Sequence, residues 1–229
     1  MMKTLFAFIL LSLFFQQDND TRNILNGMSN TLLPFECTRS INTLVTPRKQ
    51  LALASKSTIN SINFYYYRDV ALTIKEKEKR GDIRLLRKFT QPKFTLLAVT
   101  VNFILEGRTQ WLITYDKQYQ IVDTLVCGIH FLDRPDRLTL RQWRINENCE
   151  VQVSFVKLDN TDSQINDPHK WIYFEKPIEG QRTDTFYQIT DDGHFKKLRE
   201  VKYKPQLYTS QYLSKENLWN GTETPIQTN

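Results

Sequence analysis

Any chemistry in this chain must come from a short set of side chains. Asp116, Asp123, Asp133 and Asp136 fall close together in the sequence. Two carboxylates facing one cleft can run hydrolysis as an acid–base pair, one holding a proton while the other stays ionised. Asp116 and Asp136 sit in or beside expected turns, however, where an aspartate serves the turn and meets solvent. His130, His169 and His194 lack the close spacing of metal ligands and lie near expected turns, so they read as surface histidines and no metal site is assigned. There is no Gly-x-Ser-x-Gly elbow for a serine nucleophile. Gly107, Gly128, Gly180, Gly193 and Gly221 stand isolated, so no phosphate-cradling loop and no cofactor is expected. No catalytic or ligand-binding residue can be named, and whether the chain is an enzyme stays open.

The three cysteines suggest a cross-link instead. Cys127 ends one expected strand and Cys149 opens another, 22 positions later. Adjacent strands would let them close a disulfide in an oxidising compartment, leaving Cys37 over. Closing a loop of that length would contribute roughly 3 kcal/mol by the chain-entropy argument. Two buried thiols fit the sequence equally well.

The compartment is suggested by the N-terminus. Lys3 precedes an apolar run from Leu5 to Leu11 that continues past Ser12 through Leu13, Phe14 and Phe15. A charge followed by such a run is the pattern of a secretory signal, and about 11 apolar residues cannot cross a bilayer core that needs roughly 20. Residues 1–17 are therefore expected to direct export, to the periplasm or the cell surface, without a transmembrane span. No small residues mark a cleavage site, so an uncut anchor remains an alternative.

The elements that must position these residues read as strands. Aromatic residues reach 12% of the chain, and they suit a pleated, half-buried surface better than a helix. Phe94 to Leu105 is a long apolar stretch, Glu106-Gly107-Arg108 a turn, and Trp111, Ile113 and Tyr115 alternate with Gln110, Leu112 and Thr114. That alternation predicts buried Trp111, Ile113 and Tyr115 with more exposed Gln110 and Thr114. A third strand follows from Ile121 to Val126. Further strands are expected at Leu138–Ile145, Glu150–Leu158, Trp171–Glu175, Thr183–Thr190 and Phe195–Tyr203, separated by the polar segments Asn146–Asn148, Asp159–His169, Pro177–Gly180 and Asp191–Gly193. Residues 112–116 and 188–192 look alike as hairpin ends, and no third copy is evident. Helices are weakly suggested at 23–33 and 49–62, a strand at 64–67, and an exposed turn at 75–82. Residues 205–229 read as a polar tail lying on the domain.

The run at 111–125, Trp-Leu-Ile-Thr-Tyr-Asp-Lys-Gln-Tyr-Gln-Ile-Val-Asp-Thr-Leu, and the later Tyr-Gln-Ile-Thr-Asp-Asp-Gly-His-Phe at 187–195 resemble uncharacterised exported β-meander proteins of Gram-negative bacteria. The resemblance covers about residues 94–203 and rests on strand and turn signatures. It implies export and a β-rich fold, and it brings no activity or binding residues. Gln118-Tyr119 departs from it, standing where a small turn residue is expected.

Net charge is +6, from 31 basic and 25 acidic residues. The bases gather at Lys75, Lys77, Lys79, Arg80, Arg84, Arg87, Lys88 and Lys93, and again at Lys196, Lys197, Arg199, Lys202 and Lys204. Such groups attract polyanions, although ordinary solvated strand faces look the same in sequence. For an exported chain the polyanions are anionic lipid or polysaccharide surfaces, with another envelope protein as a further candidate partner. No recognition helix, zinc finger or aromatic RNA platform accompanies the charge, so nucleic acid is not expected.

The expected architecture is mainly β: an antiparallel meander forming a curved sheet or partly open barrel, with short helical or irregular N-terminal segments. Residues 18–204 would form one domain between the export segment 1–17 and the tail 205–229. The expected function is a non-enzymatic ligand- or partner-binding envelope or surface protein. The alternative is a secreted hydrolase using carboxylates from separate turns.

Overall fold

The structure is a computed structural model and describes residues 22–23, 25–37, 81–103, 107–134, 137–159, 176–213 and 218–226. The expected export segment 1–17, the elements proposed at 49–62, 64–67 and 171–175, the bases at 75–80, and Asp136 and His169 lie outside the described residues.

The strands are β1 (Phe35–Cys37), β2 (Gly81–Thr90), β3 (Thr95–Phe103), β4 (Gly107–Tyr115), β5 (Ile121–Arg134), β6 (Arg137–Ile145), β7 (Glu150–Asp159), β8 (Ile178–Ile189), β9 (Phe195–Lys202) and β10 (Gln206–Tyr208). They make one antiparallel sheet in the order β10-β8-β7-β6-β5-β4-β3-β2, with β1 added to β6 and β9 to β8. From β3 to β9 every strand pairs with its predecessor, so the expected meander is the fold. The sheet is curved and does not close into a barrel.

Curvature lets the sheet enclose its own core. Leu86 and Phe89 of β2, Leu96 and Ala98 of β3 and Leu112 of β4 meet Trp143 and Ile145 of β6, Val151 and Val153 of β7 and Ile189 of β8 in one buried cluster. The two halves of the sheet thus share an inner face. Bulges at the Leu85/Arg87 and Gln110/Trp111 steps add local twist, which helps a long sheet to curl.

The outer faces are covered by the chain ends. Leu97, Val99, Trp111, Ile113 and Tyr115 pack against Leu25 from the helical residues 25–27. On the other half, Leu140, Val156, Leu158 and Ile178 pack against Tyr208 and Leu218. The segment expected as a polar tail thus supplies β10, the helical turn Ser210–Leu213, and buried apolar side chains.

Double coverage changes the reading of β4. Trp111, Ile113 and Tyr115 are buried as the alternation predicts, but Gln110 and Thr114 are buried too. Polar residues there signalled the inner face of a two-sided strand, where hydrogen bonds replace solvent. Other boundaries also move. Gly81 and Asp82 begin β2 where a turn was expected, and Ile178–Gly180 belong to β8 rather than a break. Gly180 faces Gly-sized space between Leu158 and Tyr208, so its lack of a side chain serves close packing. Cys127 lies inside the long β5, and Cys149 lies in a turn.

That turn belongs to a set of three. Asp116–Gln120, Asn146–Glu150 and Thr190–His194 each close with a backbone bond between first and fifth residues and another from the fourth amide to the first carbonyl. The fourth residues Tyr119, Cys149 and Gly193 have φ of 66°, 58° and 92°. This is a three-residue hairpin loop ending in a left-handed residue. Side chains lock it: Asp116 Oδ1 accepts from the amides of Gln118 and Gln120, and Asn146 Oδ1 from those of Asn148 and Glu150. Thr190 Oγ1 accepts from the His194 amide. The likeness of 112–116 to 188–192 pairs Asp116 with Asp192, whereas the shared turn geometry pairs Asp116 with Thr190 and has a third member at 146–150.

Truncation of Trp111 measures the outer core. Trp111→Ala is expected to cost about 3–5 kcal/mol and to lower Tm by about 6–20 °C in thermal unfolding, whereas an unchanged midpoint would contradict its packing against Leu25 and Val99.

Candidate functional site

Of the residues singled out for chemistry, Asp116, Asp123 and His194 have described side chains, and these are already engaged. Asp116 caps its own turn. Asp123, on the inner side of β5, takes the Phe195 amide on Oδ2 at 2.9 Å and the Thr124 amide on Oδ1 at 2.7 Å. His194 Nδ1 is 3.8 Å from Asp123 Oδ2, and Thr114 Oγ1 donates to the Gly193 carbonyl at 2.7 Å. These contacts dock the β8–β9 turn onto β4 and β5, and Lys93 joins it to the β2–β3 turn through Asp191 at 3.1 Å. Asp123 therefore has a structural task, while Asp133 and His130 are placed only as backbone positions in β5. Among the described residues, no three His, Cys, Asp or Glu are placed to hold a metal.

No disulfide joins the cysteines, and the proposed Cys127–Cys149 bond is not formed in the structure. Cys127 is turned into the core at the β4–β5 bulge, where its thiol donates to the Gln110 carbonyl at 3.6 Å. Burial pushes that thiol well above its ordinary pKa, and nearby Cys37 adds to the effect.

The densest group of ionisable side chains was not singled out from sequence. Arg182 of β8 is 2% exposed, and its guanidinium grips Asp184 with Nε at 2.9 Å from Oδ1 and Nη2 at 2.6 Å from Oδ2. Nη1 reaches Glu223 Oε2 at 3.1 Å. Asp184 Oδ2 also accepts from Gln152 at 2.9 Å and from the Tyr203 hydroxyl at 3.0 Å. Glu223 Oε1 accepts from Tyr212 at 2.6 Å and Tyr208 at 3.2 Å. The chain of contacts continues outward: Arg144 donates to Gln152 Oε1 at 2.7 Å, lies over the Trp219 ring, and meets Glu36 of β1 at 3.5 Å.

The strand period explains half of this cluster. Residues 182 and 184 are two apart on β8, hence on one face, and β7 brings Gln152 onto the same face. That much could be found from an Arg-x-Asp pair inside a strand. Glu223 could not, because it lies 41 positions beyond Arg182. Gly221 permits the approach, since a Cβ there would stand 2.7 Å from Arg182 Nη1.

Electrostatics make the cluster a clasp. Burial alone would lower the Arg182 pKa, but the hydrogen bonds and charge of Asp184, helped by Tyr203 and Glu223, outweigh it and hold the guanidinium above its ordinary range. Burial, followed by the Glu223 carboxylate, raises Tyr208 and Tyr212. Acid–base turnover needs a carboxylate that substrate can reach, and here both are sealed with side chains at most 1% exposed. What the arrangement can do is pin the C-terminal segment against β7 and β8.

The remaining charged feature is β9. It pairs with β8 alone along Phe195–Lys202 and carries Lys196, Lys197, Arg199 and Lys202 against the single acid Glu200. Glu200 takes Lys197 at 2.6 Å and Lys202 at 3.9 Å, and Arg199 stacks 3.8 Å over Phe186. Of the expected first basic group, the side chains of Arg87, Lys88 and Lys93 are described, and each is engaged. Lys88 donates to the Leu25 carbonyl, Arg87 lies over Phe35, and Lys93 pairs with Asp191.

Fold and clasp define a mainly antiparallel β protein whose described residues include no helix long and apolar enough to cross a membrane. Comparison with family models, with curated proteins and with solved structures finds nothing that matches the chain.

Two outcomes test the clasp. Glu223→Ala leaves Arg182 half-unpaired in the interior and is expected to cost about 3–5 kcal/mol in urea unfolding. The buried tyrosines set an alkaline limit. Tyr115, Tyr208 and Tyr212 keep their protons above the ordinary value of 10.0. Below that value both folded and unfolded chains hold the proton and stability is complete. Above it the unfolded chain ionises first, so the urea midpoint should fall as pH rises past about 10, with phenolate absorbance appearing together with unfolding.

Proposed function

We propose that the protein is a non-enzymatic exported envelope or surface protein that binds an anionic surface through the basic edge strand β9. The observation that carries this reading is the exposure of Lys196, Lys197, Arg199 and Lys202 along β9, whose ladder partner is β8 and whose Lys202 carbonyl takes the Ile226 amide. Two acids, Glu200 on the strand and Glu150 beside Arg199 at 3.5 Å, face four bases, so the edge keeps an excess of positive charge. Clustered positive charge attracts polyanions, and does so less as salt screens it. Lysines on an edge strand also discourage edge-to-edge aggregation, a task compatible with anion binding. The engagement of Asp116 and Asp123 in turn contacts supports binding over hydrolysis. Export rests on the apolar run after Lys3.

Lys196→Glu combined with Lys202→Glu reverses charge at exposed positions and should leave Tm within a few degrees. Co-sedimentation with phosphatidylglycerol vesicles, and separately with polygalacturonate, distinguishes lipid from polysaccharide. The expected result is salt-sensitive binding to one of them, weakened about tenfold or more in the variant. Equal binding by both proteins, or none at low salt, overturns the reading. For export, the protein recovered from the envelope fraction should lack residues 1–17 or retain them in membrane, and soluble cytosolic protein beginning at Met1 would contradict it.

A further inference from the structure

The inner core holds a second pairing of cysteines that sequence spacing does not suggest. Cys37 ends β1 and stands opposite Trp143 of β6. The β5–β6 ladder runs from Arg134↔Arg137 to His130↔Leu140, and β1 takes over the edge of β6 at Trp143–Ile145. Continuing the β5 register by three residues reaches Cys127 at the level of Trp143. The point where β5 parts from β6 is thus the point where β1 enters, with a cysteine on each side.

Gln110 shows how near the two thiols come. Its Oε1 accepts the Trp143 indole N–H at 2.9 Å and the Cys37 thiol at 3.6 Å, while its backbone carbonyl accepts the Cys127 thiol at 3.6 Å. Both sulfurs therefore contact one residue, and both cysteines belong to one buried cluster. The β4–β5 bulge is what turns Cys127 inward. Cys149 packs against the rim of this cluster from the β6–β7 turn, half-buried with its amide tied to the Asn146 carbonyl.

We propose that Cys37 and Cys127 are the oxidisable pair of this protein and that their disulfide fastens β1 to the body of the sheet. β1 has three residues and one ladder partner, so its own hydrogen bonds hold it weakly and a covalent tie has much to add. A thiolate of one cysteine attacks the disulfide of oxidised glutathione, and one glutathione thiolate leaves. The second cysteine thiolate then attacks the mixed disulfide and expels the other. Two protein thiols are oxidised, two glutathione thiols are formed, and the protons pass to them. Burial disfavours the thiolate in the folded core, so the exchange takes place while β1 is undocked, during folding or local opening. Formation in the cell rests on the export reading, which supplies an oxidising compartment. Formation in vitro does not, so the two fail separately.

The test is refolding of the full chain in a reduced/oxidised glutathione buffer, acid quench, thiol blocking and peptide mass mapping. The expected product is a Cys37–Cys127 linked peptide with Cys149 blocked or glutathionylated. Its Tm should exceed that of the reduced protein by about 5–10 °C and return to it with dithiothreitol. Cys149→Ala should keep both the link and the shift, and Cys37→Ala should lose both. A Cys127–Cys149 link, or oxidation confined to Cys149, overturns the proposal. If Cys37→Ala does not fold under reducing conditions, mapping of the unsubstituted chain and of Cys149→Ala still decides it.

Discussion

Burial of β4 on both faces is the constraint on which the rest of the structure depends. A strand in that position can carry no solvated side chain, so its polar residues must find partners inside. Gln110 and Thr114 do so, one receiving the Trp143 indole from the opposite half of the sheet, the other holding the β8–β9 turn. The same polar groups that look like a solvent face in sequence thereby become the links between the two halves. Leaving either unpaired in the core would cost about 1–3 kcal/mol, comparable with one good hydrophobic contact. The outer side of β4 imposes the second half of the constraint, since Trp111, Ile113 and Tyr115 must be covered, and Leu25 from the N-terminal segment helps to cover them.

The second outer face is solved differently. Its apolar residues are covered by Tyr208 and Leu218, and the segment bearing them is secured by charge as well as by apolar contact. Burying Arg182 and two carboxylates carries a desolvation penalty of several kcal/mol per ion, and only the complete set of partners offsets it. Every oxygen of Asp184 and Glu223 accepts at least one hydrogen bond. The cluster is therefore selective more than strongly stabilising. It accepts the C-terminal segment in one register, with Glu223 on Arg182 and Gly221 beside it.

These demands leave β9 as the contrasting element. Its partner β8 anchors one edge, Phe195 packs against the core, and Lys196, Lys197, Leu198, Arg199 and Lys202 are exposed. Of the acids that might have served hydrolysis, Asp116 and Asp123 are spent on turn contacts that hold the curled sheet together.

How much of this was legible follows from the range of the forces involved. Strand periodicity and turn chemistry are local, so the meander from Phe94 to Tyr203, the hairpin at Asp116 and the buried Trp111, Ile113 and Tyr115 could be read directly. Gly193 announced a positive φ in its turn, whereas in the other two turns Tyr119 and Cys149 gave no sign of the left-handed conformation they adopt at a cost of about 1–2 kcal/mol. Long-range placement was not legible. Alternation gives two faces to a strand but does not say whether one or both are covered, so Gln110 and Thr114 were expected nearer to solvent. Nor does spacing say which residues meet after the sheet curls, and so Cys127 came to lie near Cys37, while Glu223 closed on Arg182. The sequence by itself determined the strands, their turns and the basic character of β9, because those depend on neighbours a few residues apart. Only the tertiary structure decided which polar groups are buried and with whom, because curvature and coverage of the sheet are properties of the whole chain.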